Sequence, residues 1–81
     1  MIKLLYFAAL VDQLGTAGEK IGLSPFPADV RELVTLLKQR SGIWEEVFGK
    51  HNVRITVNKQ FSELATPLKH GDEVAFISAW I

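Results

Sequence analysis

Few residues of this chain could carry chemistry, and their spacing suits none of the usual sites. His51 and His70 are far apart and too isolated from other ligand types at metal-binding spacing to suggest a metal, so a solvated or turn-capping role is expected for both. Asp72 and Glu73 form a carboxylate pair on paper. Adjacent strand residues point to opposite faces, so the two cannot flank one substrate as acid and base, and a turn role is expected. Gly15 and Gly18 lack the strand, the GxGxxG spacing and the following helix that a dinucleotide site requires, and read as a loop. The chain contains no cysteine, which excludes disulfides, thiolate metal sites, a cysteine nucleophile and a side-chain persulfide. No nucleophile, metal cluster or paired acid and base can be assembled, so a stand-alone enzyme is the weakest reading, and no cofactor is expected. What remains is the far end of the chain. Phe76, Ile77, Ser78, Ala79, Trp80 and Ile81 form a very apolar segment, and aromatic anchors in a contiguous apolar stretch are expected to bind a partner or to mediate self-association.

Length and charge narrow the setting. At 81 residues the chain is one small domain, and nearly all of its apolar residues must join a single core, which leaves little room for an internal pocket. Nine Lys and Arg balance nine Asp and Glu, and the basic residues are scattered, which argues against an electrostatic grip on nucleic acid or an anionic membrane. The longest apolar run, Leu4 to Val11, is far short of the roughly 20 residues that span a bilayer. Lys3 is followed by no signal-peptide cleavage pattern, and a cytoplasmic protein is expected.

The elements that must position the apolar end follow from periodicity. Ile2 to Ala8 is apolar at nearly every position, as in a central strand covered on both faces. A loop over 13–18 leads to a weaker strand over 19–23, and the two strands suggest a hairpin. Pro25 and Pro27 interrupt pairing, and Asp29, with Glu32 three residues on, has the pattern of a helix cap. Val30, Leu33, Val34 and Leu37 then form one apolar stripe on the main helix, which closes near Ser41-Gly42. A short second helix is expected over 42–48. Val53, Ile55 and Val57 alternate with Arg54 and Thr56 in a strand with one buried face, Asn58-Lys59 turns the chain, and 73–77 is a final apolar strand. Four or five strands around one helix make an α+β layer with the first and last strands adjacent.

Val57-Asn58, followed by Pro67-Leu68-Lys69-His70-Gly71-Asp72-Glu73-Val74-Ala75-Phe76, together with the opening Met1-Ile2-Lys3-Leu4-Leu5-Tyr6-Phe7-Ala8, resembles the ubiquitin-like sulfur carriers, specifically the small subunit of molybdopterin synthase (MoaD-like), over essentially the whole chain. The thiamin-pathway sulfur carrier shares the stretch from Gly71 to Phe76 in looser form. The resemblance implies an α+β, ubiquitin-like β-grasp fold, with 1–81 as one domain and 77–81 as a C-terminal tail. It also implies carrier chemistry on a terminal Gly-Gly carboxylate. That carboxylate is activated as an acyl-adenylate by an ATP-dependent adenylating enzyme and converted to a thiocarboxylate, and its sulfur is handed, in the large subunit of molybdopterin synthase, to a pterin precursor for the molybdenum cofactor. Two residues without a Cβ can thread a channel that any side chain would block.

This sequence departs from that pattern after Phe76. It reads Ile77-Ser78-Ala79-Trp80-Ile81, without the prolines and glycines of the family tail, so the family's reacting glycine would fall after Ile81 and no catalytic residue lies within the chain. The 81-residue chain itself is therefore expected not to be thiocarboxylated efficiently. The alternative to a carrier is a diverged β-grasp interaction or regulatory domain that has lost sulfur transfer.

Overall fold

The computed structural model describes residues 1–40, 42–49 and 53–78. Eight elements follow one another: β1 (Ile2–Phe7), α1 (Ala9–Leu14), β2 (Gly18–Ile21), α2 (Val30–Lys38), α3 (Ile43–Gly49), β3 (Val53–Val57), β4 (Gln60–Phe61) and β5 (Glu73–Ser78). The five strands form one mixed sheet in the order β2-β1-β5-β3-β4. The first and last strands are neighbours and run parallel, with Leu4 opposite Val74 and Tyr6 opposite Phe76. β2 pairs antiparallel with β1, and β3 antiparallel with β5. This is the β-grasp arrangement the sequence led us to expect, with β1 and β5 at its centre.

Alternation decides which face of the sheet is dry. Ile2, Leu4 and Tyr6 of β1 and Val74 and Phe76 of β5 are buried on one face, against Val30, Leu33 and Leu37 of α2. Leu10 of α1 and Val47 and Phe48 of α3 join the same cluster. Three aromatic rings lock its centre: Phe76 lies stacked 5.8 Å from Tyr6 and edge-on 5.1 Å from Phe48. All three helices therefore serve one face, and no described helix covers the other. The expectation that the first strand is covered on both faces fails for this reason: β1 is central in the sheet, yet Phe7 points away from the helices and is 46% exposed.

Local signals explain most element ends. Asp29 caps α2 by accepting from the Glu32 amide at 2.9 Å, while Glu32 reaches back to the amide of Ala28 at 3.1 Å, one residue beyond the usual reciprocal partner. The amides of Val30 and Arg31 donate to the carbonyls of Thr66 and Leu64, which ties the helix start to the β4–β5 connection. α1 was not expected. Leu10 and Leu14 share its inner side, and Gly15 closes it in the left-handed conformation at φ 75°. Gly18 belongs to β2 rather than to the preceding loop, and a methyl group there would sit 2.8 Å from the Leu4 carbonyl. None of the described helices is long and apolar enough to cross a membrane.

Candidate functional site

The bare face of the sheet and the end of β5 form one continuous feature. Register places Lys3, Leu5 and Phe7 of β1 beside Glu73, Ala75 and Ile77 of β5, and these beside Thr56 and Arg54 of β3. Phe61 of β4 stands opposite Thr56 and is 75% exposed. Leu5 and Phe7 of β1, Ile77 of β5 and Phe61 of β4 thus make an apolar strip around the buried Ala75, bordered by Lys3, Lys20 and Arg54. Lys3 approaches Glu73 at 3.8 Å in an exposed pair. The strip ends where β5 does: Ile77 lies between Phe7 and Arg54, and Ser78 opposite Val53. The last described residues of β5 thus lie at the edge of this apolar surface.

The residues expected to bind a partner divide accordingly. Phe76 is 0% exposed and holds the core together against Tyr6 and Phe48, so it presents no surface, and its place in the partner-binding set is corrected. Strand alternation turns it inward and Ile77 outward. Ile77 and Ser78, assigned to the tail, are paired residues of β5. Ala79, Trp80 and Ile81 lie outside the described residues, as does His51. Phe7, Leu5 and Phe61 were missed as surface residues. Only their position in the register, one residue out of phase with the buried set or on a strand too short to read, distinguishes them from core.

Two polar clusters brace the sheet at its ends. In the first, Tyr6 donates to Glu19 Oε2 at 2.8 Å, and Arg40 donates to both Glu19 oxygens at 2.8 and 3.0 Å. The Arg40 guanidinium also lies 4.4 Å from the Trp44 ring centre, and Trp44 meets Tyr6 edge-on. Burial, then the Glu19 carboxylate, push the Tyr6 phenol far above its usual range, while the Arg40 hydrogen bonds hold Glu19 below the ordinary carboxylate value. These groups tie β1, β2, the turn after α2 and α3 together and form no acid–base pair aimed at a substrate. At the opposite end Asp72, 4% exposed, accepts from the Lys69 amide at 2.9 Å and from the Asn58 side chain at 3.0 Å, while Asn58 Oδ1 accepts from the Glu73 amide. Asp72 thus lies in the turn as expected, whereas Glu73 is the first residue of β5 and pairs with Lys3. His70 stacks on Phe26 with ring centres 4.1 Å apart. No group of three metal-ligating side chains occurs among the described residues.

One backbone position directly after β1 is strained. Ala8 follows Phe7 at φ 58° and ψ −136°, a region natural to glycine and costly for alanine.

No curated protein sequence matches the chain. Among solved structures, a putative molybdopterin converting factor subunit 1 from Pyrococcus furiosus superposes with a TM-score of 0.78 at 29% identity, covering 98% of this chain and 97% of that one. The complex of subunits 1 and 2 of molybdopterin-converting factor from Helicobacter pylori matches with a TM-score of 0.69 at 22% identity, over 99% and 95% of the two chains. The BexX/CysO complex of Amycolatopsis orientalis matches with a TM-score of 0.74 at 15% identity, over 100% and 98%. These likenesses share the β-grasp fold described above. The ThiS family matches residues 4–80, nearly the full length of the fold, and with the parallel pairing of β1 and β5 this places the chain in the ThiS family of ubiquitin-like proteins.

Proposed function

We propose that the protein is a sulfur carrier of the molybdopterin-synthase type, which presents the segment after Ser78 to larger partners and docks on them through the bare face of its sheet. One observation carries this reading: β5 ends beside an exposed apolar strip, with Ile77 in the strip between Phe7 and Arg54, so a partner that covers the strip also meets the end of β5. Membership of the ThiS family supports the carrier chemistry, and the Pyrococcus furiosus protein supports the molybdopterin branch over the thiamin branch. The complexes from Helicobacter pylori and Amycolatopsis orientalis support a larger protein as partner. In the proposed sequence the terminal carboxylate attacks the α-phosphorus of ATP on an adenylating enzyme and pyrophosphate leaves. Sulfide then displaces AMP to give the thiocarboxylate, which donates its sulfur within the large subunit of the synthase.

The test uses this sequence continued by Gly-Gly, beside the 81-residue chain, with an adenylating enzyme of the same family, ATP and sulfide. The extended chain gains the mass of a sulfur-for-oxygen exchange, about 16 Da, while Phe7→Asp and Phe61→Asp in the extended chain slow the gain about tenfold or more, as loss of an interface anchor does. Association with the enzyme without any mass gain overturns the carrier reading in favour of an interaction domain. Unchanged rates in both variants overturn the assignment of the face.

A further inference from the structure

The helix-covered side of the sheet is not fully covered. α2 is a nine-residue helix that packs over β1 and β5, and its covering stops short of β3. Val53, Ile55 and Val57 face the core side in register with Phe76 and Val74, yet all three remain only half-buried. Between α2 and β3 lies an open groove of about 480 Å³ with Val34, Val53, Ile55 and Leu64 among the residues of its apolar lining. Arg31 and Lys38 line the same groove from α2. They are seven residues apart, which sets their Cα atoms about 10 Å apart along one side of the helix. No acidic side chain lines the groove, and among the described residues neither cation has an ion-pair partner.

We infer that this groove is a second docking site, for an extended acidic and apolar peptide segment of a partner protein, which seats an apolar side chain on Val34 and Ile55 between carboxylates paired with Arg31 and Lys38. Charge complementarity selects the occupant: two unpaired cations flank an apolar floor, and an apolar segment without acids would leave both unanswered. In an extended peptide, acids at positions one and five face the same way about 13 Å apart, within reach of two long cationic side chains, and the residue between them points to the floor. The groove lies on the opposite side of the sheet from Phe7 and Phe61, so a protein bound here leaves the bare face accessible. The inference does not depend on the sulfur-carrier reading, since it requires only the folded domain.

The probe is the peptide acetyl-Glu-Thr-Leu-Thr-Glu-amide, titrated into ¹⁵N-labelled protein and followed by amide chemical shifts. Saturable shifts are expected at Val34, Thr35, Val53 and Ile55, with Leu5 and Phe7 unmoved. The double variant R31E/K38E, both exposed helix positions, keeps its dispersed spectrum and binds about fivefold more weakly or worse. It gains affinity for the same peptide with Lys in place of Glu. Scattered or non-saturable shifts overturn the proposal, as does an affinity indifferent to the charge reversal. Concentration-dependent shifts of the groove amides without peptide overturn it in favour of a second copy, and groove shifts on removal of residues 79–81 overturn it in favour of the chain's own end.

Discussion

The Asp72–Asn58 clip gives the sharpest test of the physical reading, because its polarity can be reversed without changing its shape. Asp72 accepts two hydrogen bonds, from the Lys69 amide and the Asn58 side-chain amide, and Asn58 passes the bonding on by accepting from the Glu73 amide. In Asp72→Asn one oxygen still accepts from Lys69, but the new amide nitrogen faces the Asn58 nitrogen, donor against donor. Asn58 cannot rotate out of the conflict without abandoning Glu73. The loss is one hydrogen bond to a charged group at a nearly buried position, about 2 kcal/mol. Asn58→Asp alone sets a second carboxylate about 3 Å from the first and costs a similar amount. The double variant D72N/N58D restores every donor–acceptor pair with the roles exchanged. Urea unfolding, with a slope of about 1 kcal/mol per molar for a domain of this size, is expected to show each single variant about 2 M less stable. The double variant should lie within about 1 M of the parent. Additive losses, placing the double variant about 4 M down, would refute the assigned bond directions.

The other predictions concern strain and titration. Ala8→Gly relieves a glycine-like backbone conformation and is expected to stabilise the domain by about 1 kcal/mol, read as a rise in Tm of several degrees. Lys59 occupies the second position of the β3–β4 turn at φ 71°, after Asn58 at φ 52°, where a two-residue hairpin favours Asn-Gly, so Lys59→Gly should stabilise by about 1 kcal/mol in the same assay. The folded state raises the Tyr6 phenol above its unfolded value of 10.0, so its contribution is fully present below pH 10 and is lost as pH rises from there toward the folded value. Stability should then fall by about 0.7 kcal/mol per pH unit at pH 10, steepening toward about 1.4 kcal/mol per unit above pH 11, and Tyr6→Phe should remove that part of the slope. Tyr6 is the only tyrosine, so phenolate absorbance reads it directly, and a normal titration in the folded protein would contradict the burial argument.

The strands and helix that build the site were legible where periodicity was strong. The stripe of α2, the alternation of β3 and the apolar run of β5 each state their own geometry, and Asp29 and Glu32 mark a helix start that the structure keeps. α1 was hidden because Leu4 to Val11 is apolar throughout, so the change from strand to helix period at Ala8 leaves no polar marker. The same uniformity concealed the site. Leu5 and Phe7 read as core of a doubly covered strand, and only the placement of all three helices on one face makes them surface. The partners of Arg40 were equally invisible, since Glu19 and Tyr6 reach it through sheet pairing and not through sequence spacing. The motif of Asn58 and Asp72-Glu73 was visible as a resemblance, and the clip supplies its physical reason: one side-chain pair joins the β3–β4 turn to the turn that launches β5.

The balance of charges also reads differently once the acids are located. Nine acids against nine bases argued against an electrostatic surface. Several of the acids, however, are spent inside the fold on neutral donors: Asp72 on two amides, Asp29 and Glu32 on the first turn of α2, and Glu19 partly on Tyr6. Hydrogen bonds to amides and hydroxyls consume acceptor capacity without consuming cations. Among the described bases, Arg40 pairs with Glu19 and Lys3 approaches Glu73. Lys20 and Arg54 border the bare face, and Arg31 and Lys38 the groove, without ion-pair partners among the described residues. A chain of zero net charge thus presents two basic-edged apolar surfaces on opposite sides of one sheet, each suited to an acidic-edged partner.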